Sequence, residues 1–302
     1  MTVNIVDDED DTIHPIKQGV FIVDNQPRAL ETISITAMDE LVRMDQEFDV
    51  AKMSVVFPCD TRTLVLQCLN YCGIKYNATD LLKFSDTLII QNEIVSSDSS
   101  VITCRQICMW TCQINCLCGY ADEDGIIRFK FYEIADNSPE VLQCEDGEVL
   151  QIENEGFLEA DKDYGYFKMT GAERFTTNSE LDEDDTVITG HKFVSDNGNY
   201  PASLDDESYV IVTEGNKLFA LLSDEDKEIC ANAVNDKLRG ICYRSFKAET
   251  FSFPHLWPLD CIAYIRNGTA YNTIISNTIF KLNGVSTLEA KAQSRTEKVM
   301  LL

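Results

Sequence analysis

Apolar and polar positions alternate along the chain in stretches of two distinct periods. Residues 1–28 read as an acidic tail followed by one strand, Gly19-Val-Phe-Ile-Val-Asp24. Glu31-Thr-Ile-Ser-Ile-Thr36 keeps the period of two expected of a strand, and Ala37 to Phe48 reads as a short helix. Past Pro58, Asp60 is placed to cap a helix whose apolar face is Leu64, Val65, Cys68, Leu69 and Cys72. Gly73 offers the left-handed residue that ends it. Thr103 and Gln106 have capping-box spacing before a helix that runs to about Leu117. Asp124-Gly125, between Cys118-Gly-Tyr-Ala and Ile126-Ile-Arg-Phe-Lys-Phe, marks a hairpin.

The second half is richer in strands and begins in the acidic stretch 145–163. Ser179 to Asp185 holds five acids in seven residues and reads as a solvated loop. Ser223, followed by Asp224, Glu225 and Asp226, opens a helix at its dipole-positive end. Its expected buried face is Ile229, Cys230, Ala233, Val234 and Leu238, and Gly240 ends it. Strands follow at Ala248–Phe253, Cys261–Arg266, Tyr271–Leu282 and Val285–Ala292, with hairpin turns at Asn267-Gly268 and Asn283-Gly284. The pattern predicts an α+β protein. An acidic tail and first strand (1–28) precede a mixed α/β domain (29–147), and a β-barrel-like domain (148–302) carries one packed helix at 223–239.

Composition narrows the function. Of 302 residues, 25 are Lys or Arg and 51 are Asp or Glu, a net charge of −26, while 44% are hydrophobic. The apolar fraction supports real cores, which excludes a disordered chain. The charge excludes stable nucleic-acid binding, which needs clustered cations, and disfavours anionic lipid surfaces. No apolar run approaches the roughly 18 residues of a membrane helix. The start, MTVNIVDDEDD, lacks the positive and apolar regions of a secretion signal, so synthesis and assembly in a cytoplasm are expected.

Candidate chemistry is sparse. Cys104, Cys108, Cys112 and Cys116 recur every fourth residue, and Cys68 and Cys72 repeat that step. Zinc ligands usually come as CxxC pairs, and the chain has none; its three histidines, His14, His191 and His255, lie far apart. A four-residue step is what a helix shows when it uses Cys as a small buried hydrophobe. Trp110 on the same helix reads as core, and His255, between Pro254 and Trp257, as a packed loop residue. Asp122-x-Asp124-Gly125 reads as a turn, since the downstream ligands of a calcium loop are missing. The sequons at Asn77 and Asn267 have no meaning without secretion. No hydrolase, nucleotide-binding or metalloprotease motif occurs, and no catalytic, cofactor-binding or metal-ligating residue is assigned.

Three stretches together resemble the tail-hub family of bacteriophages and prophages, also called tail-associated lysin, prophage endopeptidase tail or baseplate hub protein. The first runs from Gly19-Val-Phe-Ile-Val-Asp24 through Ile33-Ser-Ile-Thr-Ala-Met-Asp-Glu-Leu41 to Phe57-Pro-Cys-Asp-Thr-Arg-Thr-Leu64. The second links Ile102-Thr-Cys-Arg-Gln-Ile107, Asn115-Cys-Leu-Cys-Gly-Tyr-Ala121 and Asp124-Gly-Ile-Ile-Arg-Phe129. The third spans Ala231 to Ala292, with Lys237-Leu-Arg-Gly240, Leu259-Asp260 and Tyr271-Asn-Thr-Ile-Ile-Ser276. The resemblance implies a structural, non-enzymatic role at the tail tip, joining the tail tube to receptor-binding or puncturing parts. It also implies a homotrimer contacting other tail proteins, with assembly in the host cytoplasm before incorporation in the virion. The family's opening β-domain is expected to be mostly absent, since about 18 residues precede the Gly19 strand. Two other classes compete: an adaptor or carbohydrate-binding module using Trp257 and Tyr200, and a cell-wall endopeptidase.

Overall fold

The first 25 residues form strands on both sides of the acidic run rather than a tail and one strand. Strand β1 (Thr2–Val6) pairs antiparallel with β2 (Ile13–Lys17), Thr2 lying opposite Lys17 and Val6 opposite Ile13. The computed structural model describes residues 2–6, 13–25, 36–94, 101–131, 151–152, 156–157, 167–170, 176–196, 198–201, 210–250, 256–266, 269–281 and 286–290. Asp7–Asp11 therefore lie outside the described residues, as do residues 26–35.

Strand β3 (Ile22–Asn25) pairs antiparallel with β4 (Thr36–Met38). The helix expected over 37–48 is instead a 3-10 helix, Glu40–Asp45, and a separate single turn, α1 (Val50–Met53). The backbone between them turns to a neighbouring segment: the Phe48 amide donates to the Ile102 carbonyl (2.8 Å) and the Cys104 amide to the Gln46 carbonyl (2.9 Å). Asp39 and Asp49 then cap the two short pieces, accepting from the Leu41 and Lys52 amides.

Strand β5 (Cys59–Asp60) leads into α2 (Thr61–Tyr71), and the Asp60 carboxylate accepts from the Thr63 amide at 2.8 Å. The expected face, Leu64, Val65, Cys68, Leu69 and Cys72, is buried, and Gly73 takes φ +65° after the helix. A single turn, α3 (Ala78–Leu81), and β6 (Ile89–Ile90), paired with β5, follow. Helix α4 (Cys104–Asn115) begins with the expected capping box: Gln106 N donates to Thr103 Oγ1, and Thr103 N to Gln106 Oε1. Strands β7 (Cys118–Ala121) and β8 (Ile127–Lys130) form the expected hairpin.

Next come the short antiparallel pair β9 (Gln151–Ile152) and β10 (Gly156–Phe157), then β11 (Phe167–Thr170) and β12 (Thr176–Val187). The acidic segment 179–185 is thus strand, not loop. Strand β12 stands at one end of its sheet, where charged side chains keep contact with water. Strands β13 (Gly190–Ser195), β14 (Gly198–Tyr200) and β15 (Val210–Glu214) form a three-stranded sheet with β13 central and parallel to β15. A single turn, α5 (Lys217–Ala220), precedes α6 (Asp224–Leu238), which the Ser223 hydroxyl caps. The buried face of α6 is Lys227, Cys230, Ala231, Val234, Asn235 and Leu238; Ala233 is exposed, and Ile229 is 54% exposed. The expected stripe is rotated because Asn235 turns inward and accepts from the His191 amide at 3.0 Å.

The last strands are β16 (Cys242–Thr250), β17 (Cys261–Arg266), β18 (Thr269–Ile274), β19 (Asn277–Ile279) and β20 (Ser286–Ala290). Both Asn-Gly turns lie outside the described residues, although Arg266 stands opposite Thr269 across the first. The stretch expected as one strand over 271–282 breaks after β18. The Ile275 amide donates to the Asp260 carbonyl and the Ser276 amide to the Glu289 carbonyl, so the chain changes sheet there.

Two compact units result, each built from separate segments. The first takes described residues within 1–131 and 187–241, and the second those within 132–186 and 242–292. The boundary expected at 147/148 falls outside the described residues. Helix α6, expected in the second domain, belongs to the first unit, where it meets α4: Cys230 Sγ donates to the Ile114 carbonyl and Lys237 Nζ to the Asn115 carbonyl, both at 3.2 Å. The second unit has sheets β11-β17-β18 and β12-β16-β20-β19, with Phe246, Ala248, Ile262, Tyr264, Leu288 and Ala290 in its core. The fold class is α+β as expected. Among the described residues the sheets are open, not a closed barrel, because the sheet change at Ile275 ends one ladder and starts another.

Candidate functional site

Nine of the twelve residues of α4 are buried, Cys104, Cys108, Cys112 and Trp110 among them. A helix buried on nearly all sides needs small side chains where neighbours approach, and the thiols provide them. Burial pushes the thiol of Cys112 well above its usual range and those of Cys116 and Cys230 up to about 12. Cys104 also rises to about 12, through its hydrogen bond with Cys68 and through burial. Nucleophilic or metal-binding cysteines need the opposite shift, so these thiols act as apolar side chains at neutral pH. Among the described residues, no group of three or more His, Cys, Asp or Glu side chains is placed to hold a metal ion.

Several of the other residues singled out in sequence have structural roles. Asp122 accepts from the amides of Asp124 (3.0 Å) and Ile126 (2.9 Å), which makes its segment the expected turn, with Gly125 at φ +72°. Asn77 caps α3 by accepting from the Thr79 and Asp80 amides. Trp110 is core, as expected, and Asn216 Nδ2 donates to its carbonyl at 2.9 Å. Tyr200 is half-buried edge-on to Phe219, and Trp257 is half-buried with its amide donating to Asp260, so neither stands as an exposed binding aromatic. His14 lies in β2, and His255 lies outside the described residues. His191 is buried, with Nε2 2.8 Å from Thr213 Oγ1 and, among the described residues, no partner on Nδ1; burial lowers its pKa to about 4, which keeps it neutral.

Two features carried no signal in sequence. Buried Asp80 accepts from Lys83 Nζ (2.8 Å), Arg128 Nε (2.7 Å) and the Phe129 amide (3.2 Å), tying α3 to β8. Burial opposes its charge, but the hydrogen bonds from Lys83 and Arg128 prevail and hold its carboxyl below the usual range. The second is Arg244 on β16: its Nε donates to Asp185 at 2.6 Å, and Nη1 to the Asp182 and Glu183 carbonyls at 3.3 and 2.9 Å. Its guanidinium also lies 4.6 Å from the centroid of the Tyr271 ring. Partners 48 and 59 residues apart leave no local pattern to read.

The surface offers contact chemistry. Glu180, Asp182, Glu183, Asp184 and Asp185 on β12 are exposed, which favours water or cationic groups over a second acidic strand. On the β3–β4 ribbon and its approach, Phe21, Val23 and Met38 are 41%, 49% and 44% exposed, beside exposed Val20. Lys17 and Asp124 form an ion pair that ties β2 to the β7–β8 turn. No helix among the described residues is long and apolar enough to cross a membrane.

No protein-family model and no curated protein matches the chain. Solved structures with which it shares similarity include the 43 kDa tail protein of prophage MuSo2 from Shewanella oneidensis. The two are 8% identical over 88% of this chain and 74% of that one, with a TM-score of 0.44. The tail protein from Neisseria meningitidis MC58 is 10% identical over 95% of this chain and 82% of its own, with a TM-score of 0.40. A chain of the phage P2 baseplate in its activated conformation with Ca is 8% identical over 96% and 78%, with a TM-score of 0.30.

Proposed function

We propose that the chain is a structural, non-enzymatic component of a phage or prophage tail tip, hub-like in joining the tail tube to receptor-binding or puncturing parts. The reading rests on the order in which the family-like segments fall on described elements. Strand β3 is followed by the Asp60-capped α2, then by the Thr103-capped α4 running into the β7–β8 hairpin. Helix α6 closes at Arg239-Gly240 before β16, and Leu259-Asp260 precedes β17 and β18. In this role copies of the chain associate as a trimer and contact other tail proteins, and its acids leave passing DNA unbound, because like charges repel phosphate.

Light scattering coupled to gel filtration, at high protein concentration and high salt, tests the assembly. Salt matters because 26 excess negative charges repel between copies, and screening cuts their reach to about 8 Å. A species of three chain masses is expected, and a strict monomer overturns the trimer. Antibody-gold labelling of induced particles tests the place: label at the tail tip is expected, and label along the whole tail or none at all overturns it. Purified cell walls incubated with the protein should release no muropeptides; release would overturn the non-enzymatic reading.

A further inference from the structure

We draw no further inference here: the strongest candidate, the exposed apolar side chains Val20, Phe21, Val23 and Met38 on the β3–β4 ribbon and its approach, carries none because nothing in the structure shows what covers that face.

Discussion

Around α4, buried polar side chains meet partners. Asn115 donates to the Thr111 carbonyl (2.8 Å) and to Thr61 Oγ1 (3.3 Å) and accepts from the Ser85 amide (2.7 Å). Asn216 donates to the Trp110 carbonyl and to Gln113 Oε1 and accepts from the Phe219 amide. In the second unit, by contrast, Ser245, Thr250 and Tyr264 bury hydroxyls with no hydrogen-bond partner among the described residues. The difference follows from what each backbone can fix. Helices satisfy their own amides and carbonyls, so nothing in the backbone sets how α2, α4 and α5 are placed; directional side-chain bonds must do it. Sheet ladders join the strands through the backbone, and the buried apolar face pins their register, so apolar fit between the sheets suffices and a stray hydroxyl is tolerated.

That contrast can be broken by substitution. The largest effect is expected from Phe246→Ala, which empties part of the intersheet core beside Tyr264: a loss of about 4 kcal/mol in denaturant unfolding. A loss under 1 kcal/mol would mean that apolar fit does not hold the second unit.

The first unit has two exceptions among the described residues: the buried Thr189 hydroxyl, and the buried His191 ring with one unpartnered nitrogen. The ring's folded pKa of about 4 lies below the usual 6.5, so between those values the unfolded chain binds a proton that the folded chain refuses. Stability therefore falls as pH drops from 6.5 to 4, by roughly 3 kcal/mol in total, and His191 adds no slope above that window. Paired pH titrations of stability for the native chain and His191→Phe should differ by that slope; parallel curves would rule it out.

Asn115→Ala should cost about 2 kcal/mol, because the part-buried Ser85 amide loses its acceptor and Thr61 Oγ1 keeps only its bond to the Ser85 carbonyl. Smallest of all is Tyr264→Phe. Deleting an unpartnered hydroxyl should leave stability unchanged or raise it by up to about 1 kcal/mol. If Tyr264→Phe costs as much as Asn115→Ala, the two cores do not differ in the way described.

Legibility in sequence followed the range of the interactions. Helices α2, α4 and α6 could be read because their caps, Asp60 with Thr63, Thr103 with Gln106 and Ser223 with Asp226, act across three residues. The β7–β8 hairpin could be read because Asp122, Asp124 and Gly125 make their own turn. Strand β12 could not, since five acids in seven residues look like solvated loop until β16 supplies a ladder and Arg244. The inward turn of Asn235 depends on the His191 amide, 44 residues earlier, and so escaped the helical pattern of α6.

The sequence by itself determined the caps, the apolar faces of α2 and α4, the burial of the cysteine stripe and the strand-rich second half. These rest on local backbone chemistry and on hydrophobic period. Only the tertiary structure decided that α6 belongs with α4, that the chain changes sheet after β18, and that Asp80 is held by Arg128 on β8. Each of those outcomes depends on a partner outside the local segment. Chain entropy leaves such pairings unspecified until burial and hydrogen bonding together outweigh the cost of closing the loop.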